Sequence, residues 1–474
     1  MSKEVRNLEP KAMWNHFADL NAVPRPSKKE ERVIEFVRNF GESLNLETVV
    51  DAVGNIIIKK PATTGMENRK TVVLQSHIDM VHQKNADTVF DFDTQGIEMF
   101  VEEDWVKAKG TTLGADNGIG AASIMAVLSS TTIAHPAIEG LFTIDEETGM
   151  TGAMGLVGGL LDAEIMLNLD TEDDDELTIG CAGGVDVTGV GSYPTEAISG
   201  DLVTFELKIN GLSGGHSGMD IHKGKGNANK LMNRLLFGIT EKFDLRISNI
   251  DGGGLRNAIP RESFAIVSVP TAQKVDFSAF INEKMAEFKA EHETTDADLL
   301  ISLSELDKAT EAMSLGFQKQ LLSVVYGIPV GIYRMSPDMP GLVQTSNNLS
   351  RVLVGEGKFS VQCLTRSSVD SEKYDLSTGI RSCLELLGAT VDLAGDYPGW
   401  EPKPEADIVK LMDELYQKEF GQRADVSACH AGLECGILGT HYPEMEMISF
   451  GPNIRGAHSP DERVQISSVQ KYWP

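Results

Sequence analysis

The chain has 474 residues, 41% of them hydrophobic, enough to bury a sizeable core and to form about two or three domains at roughly 100–200 residues each. Its formal charge of −28 repels phosphate backbones and anionic membranes, which argues against nucleic acid or a membrane as partner and suits a cytoplasmic protein that attracts cations. Five cysteines, Cys181, Cys363, Cys383, Cys429 and Cys435, are odd in number and lack framework spacing, so no disulfide scaffold is expected; the start MSKEVRNLEPKAMWNHF has no apolar signal core.

In chain order, a helix is predicted over 10–20. Val23-Pro24-Arg25-Pro26-Ser27 breaks it. Ser27 is expected to cap a second helix that runs to about residue 44, with Val33, Phe36, Val37 and Phe40 on one side. Strands are then predicted over 55–61, over 71–76 stopping at His77, over 141–145 running into Glu146-Glu147, and over 165–169 running into Asp170. A Gly/Ala-rich helix over 118–128 is entered through Gly114-Ala115-Asp116-Asn117.

Alternating buried strands and helices argue for an α/β sheet with parallel strands, and ligands of such sheets sit at the carboxyl ends of the strands. The pattern therefore aims His77, the Glu146-Glu147 pair and Asp170 at one sheet edge. Residues 184–398 differ in style, with Gly-rich loops and amphipathic helices near 228–239 and 277–290, and read as an inserted domain. Residues 1–183 and 399–474 make up the other, discontinuous domain. In the tail, a helix is expected near 405–420 and a strand over 445–450, and residue 467 onward starts a helix that is cut short.

Two ions ~3.5–4 Å apart need a bridging carboxylate, terminal ligands and an open face. Histidine with carboxylate suits zinc, manganese or cobalt. In His77-Ile78-Asp79, positions i and i+2 of an extended chain share a face, so Asp79 can take the proton of the far ring nitrogen and fix the tautomer. Glu146 and Glu147 repel each other unless cations neutralise them, and as neighbours they diverge, so that one can hold metal while the other serves as a general base. Each fragment alone has an ordinary alternative. Asp116 suits a helix cap, His458 a solvated loop, and the run 173–176 a solvated acidic loop.

Taken in order, H-x-D-x-V at His77, L-G-A-D-N-G around Asp116, D-E-E-T-G around Glu146, N-L-D at Asp170 and G-A-H-S-P-x-E around His458 resemble the co-catalytic zinc exopeptidases of the aminoacylase and carboxypeptidase superfamily. Within them the chain is most similar to the aminoacyl-histidine dipeptidases, relatives of carnosinases. Arg25-Pro26-Ser27, Ser213-Gly214-Gly215-His216-Ser217-Gly218, Arg256-Asn257-Ala258-Ile259-Pro260 and His430-Ala431-Gly432-Leu433-Glu434 extend the resemblance over nearly the whole chain.

The resemblance implies an α/β metallopeptidase domain with a central mixed, mostly parallel sheet flanked by helices, plus an inserted α+β lid domain that closes over the substrate. It implies two divalent ions, zinc first, bridged by Asp116. His77 and Asp170 complete one site, and Glu147 and His458 the other. Glu146 becomes the general base and Asp79 the acid that orients His77. His216 is implied as the donor to the substrate oxyanion, and Asn257, Arg366 and Gly432 as contacts of the substrate; an Arg is suited to a free carboxylate by bidentate bonding. His82 competes weakly with His77. The implied reaction is hydrolysis of dipeptides with C-terminal His, such as carnosine. A broader dipeptidase, an N-acyl amino acid deacylase, a two-metal phosphoesterase and a non-catalytic metal binder are the rivals. A homodimer is favoured over a monomer.

Overall fold

The computed structural model describes residues 3–473. The chain forms two compact units: Met1–Gly180 with Pro402–Ala428 and Leu433–Pro474, and Cys181–Glu401 with Cys429–Gly432.

The first unit starts with helices α1 (Lys11–Leu20) and α2 (Glu31–Ser43). Strands β1 (Glu47–Val50), β2 (Ile56–Lys60) and β3 (Val72–His77) follow, then a hairpin of β4 (Met99–Glu102) and β5 (Trp105–Ala108). Helix α3 (Ala115–Ser129) leads to β6 (Ile138–Thr143), β7 (Ile165–Asn168) and β8 (Glu176–Cys181). The eight-stranded sheet has the order β1-β2-β6-β3-β7, then Glu446–Ser449, β8 and Asp425–Cys429.

The sheet is mixed. Strands β6, β3, β7 and Glu446–Ser449 run parallel, while β1, β2 and β8 pair antiparallel. All six residues of β6 are buried, as expected of a strand covered on both faces, and this is why it reads as an apolar run rather than an alternation. Because β3, β6 and β7 are parallel, their carboxyl ends share an edge: His77 stands opposite Thr143, and Gln75 opposite Asn168. The residues that follow these strands are thereby gathered by topology alone.

Helix α3 is regular only from Gly118, because Asp116 and Asn117 have non-helical dihedrals. Its buried small residues leave room for its neighbours. A Cβ at Gly120 would lie 2.8 Å from the Leu169 carbonyl oxygen, so glycine sets how closely the helix approaches the chain leaving β7. Trp14 and Phe17 of α1 share a fully buried cluster with Ile119 and Ala122 of α3, and each large apolar side chain so buried contributes roughly 1.5–3 kcal/mol.

Two expectations are corrected here. Ser27 does not cap α2. That helix starts later, at Glu31, and Glu30 at its N-cap makes no side-chain capping bond. The Ser27 hydroxyl donates instead to Asp79 Oδ2 at 2.8 Å; a buried carboxylate needs donors more than a helix end that water can reach. Nor is the acidic run after Asp170 simply solvated. Asp173 pairs with Arg455, and Asp174 takes Lys471 Nζ at 2.7 Å, which ties the run to the final helix Ile466–Tyr472.

The second unit is α+β. A nine-stranded sheet, antiparallel in its long pairings, includes Gly183–Ser192, Leu202–Asn210, Val343–Gly355 and Lys358–Ser367. Helices Ala228–Thr240, Lys274–Glu291, Leu315–Gly327 and Asp370–Leu386 contribute to the same apolar core as the strands. Among the described residues no helix is long and apolar enough to cross a membrane.

Candidate metal centre

The edge formed by β3, β6 and β7 gathers the five predicted ligands. His77 Nε2 lies 3.1 Å from Asp116 Oδ1 and 3.6 Å from Asp170 Oδ1. His458 Nε2 lies 3.2 Å from the other oxygen of Asp116, Oδ2, and 2.9 Å from Glu147 Oε2. Asp116 thus presents one oxygen to each histidine. The ligand atoms form three overlapping groups, each within 4.8 Å: His77 with Asp116 and Asp170, Asp116 with Glu147 and His458, and His77 with Glu146 and Glu147. His82 is outside all three and sits edge-on to Phe92 at 5.9 Å.

Two imidazoles and three carboxylates converging this way suit divalent cations that accept both nitrogen and oxygen. Glu147 adds a buried Oε1 without a hydrogen-bond partner, so the residues present fit bound metal. The electrostatics agree. Burial, then the charges of neighbouring carboxylates, pushes the Glu147 carboxyl up. Glu146 is pushed well up by burial and by Asp170, Glu147 and Glu434, although His77 pulls the other way. His458 is raised to about 11 by its hydrogen bonds to Asp116 and Glu147. Crowded negative charge of this kind is what a cation relieves.

Asp79 is fully buried and faces more than His77. Its Oδ1 lies 3.2 Å from His77 Nδ1 and accepts the Glu146 N–H at 3.1 Å. Its Oδ2 accepts the Glu147 N–H at 3.3 Å as well as the Ser27 hydroxyl. One carboxylate therefore faces the His77 ring and holds the main chain of the adjacent acid pair.

Sequence reasoning gave no role to several residues that build this edge. Arg25 is buried and donates to the carbonyls of Ile78 (3.1 Å), Asp79 (3.0 Å) and Gly114 (2.6 Å). Asn117 donates to Asp170 Oδ1 and, at 2.9 Å, to the Leu169 carbonyl. Glu434 is buried and accepts from Gln75 and Thr143, each at 2.6 Å. The available signal was a charged or amide residue inside an otherwise Gly- or Pro-rich motif, which hydrophobic patterning cannot weigh.

The second unit carries the remaining candidates. His216 lies on Gly215–His216, paired with Ala258–Ile259. Its Nδ1 accepts the N–H groups of Gly218 (3.2 Å) and Met219 (3.0 Å), which assigns the ring proton of the neutral form to Nε2. Asn257 accepts the Ser217 N–H through its carbonyl at 2.8 Å. Arg366 is only 5% exposed and donates to the Tyr397 hydroxyl at 2.8 Å and, at 3.4 Å, to that of Ser217. Among the described residues no carboxylate forms an ion pair with it. Gly432 belongs to the short segment Cys429–Gly432. Beside it, His430 Nε2 meets the Ser346 hydroxyl at 2.8 Å.

The chain and its fold are similar to those of known proteins. The chain is 43% identical over 99% of its length to the cytosol non-specific dipeptidase of Escherichia coli, covering 97% of that protein. The structure of the aminoacylhistidine dipeptidase of Vibrio alginolyticus matches all of this chain and 96% of its own at 42% identity, with a TM-score of 0.92. A tripeptidase of Staphylococcus aureus, 15% identical, has the same fold over 98% of this chain and 95% of its own, with a TM-score of 0.55. The profile of peptidase family M20/M25/M40 matches residues 73–472. The chain belongs to that family and is a peptide hydrolase.

Proposed function

We propose that the chain is a dipeptidase working with two divalent ions, zinc first and manganese or cobalt as alternatives, with Xaa-His dipeptides such as carnosine among its substrates. The observation that carries this reading is the placement of Asp116, one oxygen toward His77 at 3.1 Å and the other toward His458 at 3.2 Å, with Glu147 Oε2 2.9 Å from the same His458 nitrogen. His77 and Asp170 would hold one ion, Glu147 and His458 the other. Bound there, the ions supply Lewis acidity that lowers the pKa of water and polarises the peptide carbonyl.

The protein's own residues do the rest. Glu146, its carboxyl pushed up by burial and neighbouring charge, accepts a proton from the attacking water and delivers it to the leaving amine. Asp79 keeps the His77 proton on Nδ1, so that Nε2 is a lone-pair donor. His216 offers its Nε2–H to the carbonyl oxygen as negative charge develops there. Arg366, buried with hydroxyl partners only, suits the free carboxylate of a dipeptide, with Asn257 and Gly432 as further contacts. The net charge of −28 and the name of the Escherichia coli relative support a cytoplasmic location, and a homodimer is the assembly we favour.

The test is a panel of dipeptides differing only in the C-terminal residue, run with zinc, manganese and cobalt beside an N-acyl amino acid and a phosphodiester. Dipeptide turnover with a preference for C-terminal His is expected. Equal rates across the panel would remove the Xaa-His preference and leave a broad dipeptidase. Turnover of the phosphodiester or acyl substrate alone would overturn the reading.

A further inference from the structure

Glu462 lies four residues after His458 and has no part in the mechanism above. Its carboxylate is buried, with the residue 2% exposed. Oε2 accepts the N–H groups of Leu113 (2.6 Å) and Gly114 (2.9 Å), and Oε1 those of Ala115 (2.7 Å) and Asp116 (3.2 Å). Four consecutive amides thus converge on one side chain. Regular helical dihedrals do not shape this stretch, since Asp116 (φ −80°, ψ 108°) and Asn117 (φ −107°, ψ 36°) leave the helical region, and the Gly118 N–H reaches back only to the Gly114 carbonyl at 3.2 Å.

The opposite side of the same stretch is also fixed. Gly114 has φ +69°, and its carbonyl accepts Arg25 Nη2 at 2.6 Å. A Cβ there would lie 2.5 Å from that nitrogen, so only glycine permits the approach. A buried acid holds the four N–H groups, while the buried Arg25 holds the Gly114 carbonyl and Asn21 that of Leu113. Glu462 is in turn part of the loop of His458, where the Ser459 N–H meets the Gly456 carbonyl at 3.2 Å and the Glu462 N–H meets the Ser459 carbonyl at 3.0 Å. One side chain therefore ties the loop of His458 to the segment of Asp116.

We infer that Glu462 is a positioning residue: by clamping the main chain of 113–116 to the loop of His458, it sets the Asp116 carboxylate between His77 and His458. The inference rests on the metal reading proposed above. A carboxylate is the side chain suited to this task, since it accepts on both oxygens and donates on neither when ionised. Glutamine would turn an NH2 group toward two N–H donors.

The test compares holoenzyme of the native sequence with Glu462→Gln for ion affinity (competition with a chelating dye), steady-state kinetics and amide exchange. Outer contacts of metal sites typically count for about 10–100-fold, so Glu462→Gln should lose roughly that much in ion affinity and kcat while KM changes little. Amides 113–116 should be protected in the native protein and exchange faster in the variant. Asp116→Asn combined with Glu462→Gln should lose less than the sum of the two single losses, because both act through one carboxylate. A folded Glu462→Gln protein with native ion affinity and kcat overturns the inference, as does fast exchange of amides 113–116 in the native protein. If Glu462→Gln does not fold, Glu462→Asp keeps the charge and is expected to show the same pattern in smaller degree; native affinity in it overturns the inference equally. Absence of ion binding or dipeptide hydrolysis in the native protein would defeat the metal reading instead, and the exchange of amides 113–116 would still decide the clamp.

Discussion

Replacing Asp79 by Asn keeps the side chain's size and removes its charge, which makes the consequences calculable. Asp79 receives the Glu146 N–H at 3.1 Å and faces His77 Nδ1 at 3.2 Å on one oxygen, and takes the Ser27 hydroxyl at 2.8 Å and the Glu147 N–H at 3.3 Å on the other. Asn has a single acceptor oxygen. If that oxygen stays toward His77, the Glu147 N–H is left facing an NH2 group, and an unsatisfied buried donor costs about 1–3 kcal/mol. Ser27 escapes the penalty, because its hydroxyl also has the Met80 carbonyl within 3.2 Å. If the amide flips, its NH2 donates to His77 Nδ1 and moves the ring proton to Nε2, the atom that faces Asp116. At 1.36 kcal/mol per factor of ten, the first orientation predicts a loss of roughly 5–150-fold in kcat/KM if the whole penalty falls on the active arrangement. The second predicts a comparable loss in ion affinity as well. The assay is dipeptide hydrolysis together with ion titration on purified Asp79→Asn protein. Values of both within about threefold of the native protein would refute the argument, since neither orientation of the amide satisfies all the donors.

Four further outcomes follow from the site. Glu146→Gln should keep its ions while kcat falls by about 10²–10⁴, the usual worth of a positioned base, as read by metal analysis beside single-turnover hydrolysis. Arg366→Met should raise KM for a dipeptide by roughly 10–100-fold, the equivalent of a charged hydrogen bond, and should leave a C-terminally amidated dipeptide unaffected. Exhaustive chelation should abolish hydrolysis, and zinc, manganese or cobalt should restore it to different extents in a rate assay. His430, lowered to about 3 by burial and then by the positive charges of Arg366, His216 and His222, binds a proton in the unfolded chain near pH 6.5, well before it does so when folded. The unfolded state therefore gains protons first as pH falls. Relative to His430→Gln, the native chain should lose up to about 1.4 kcal/mol per pH unit between roughly pH 6.5 and pH 3, measurable from denaturant midpoints at pH 7 and 5.5.

The sheet edge was legible because each of its strands is a short apolar run that stops at a polar residue. His77, the pair Glu146-Glu147 and Asp170 all stand where the ends of β3, β6 and β7 put them. Asp116 stands in the irregular first turn of α3 and His458 on a loop, neither with any periodicity, and only the motif resemblance singled them out. Of the contacts around these candidate ligands, the approach of Asp79 to His77 was legible from their spacing, and the others were not. Ser27 reads as a helix cap from its neighbours, and its true partner, Asp79, is 52 residues away. Arg25 and Glu462 have the composition of surface residues, yet both are buried because the turn at Gly114 offers a carbonyl to one and an amide to the other. Local propensity carries no information about such partners.

The two histidines that flank Asp116 differ in their access to solvent. The side chain of His77 is 1% exposed and that of His458 is 57% exposed. On the two-ion reading proposed above, an ion on the His458 side should exchange with solution quickly, and one on the His77 side slowly. Stripping by a chelator would then run in two kinetic phases, with the second ion leaving a site already half dismantled. Reloading would follow the reverse order, so the metal content of a preparation should depend on its history as well as on the buffer in which it is held.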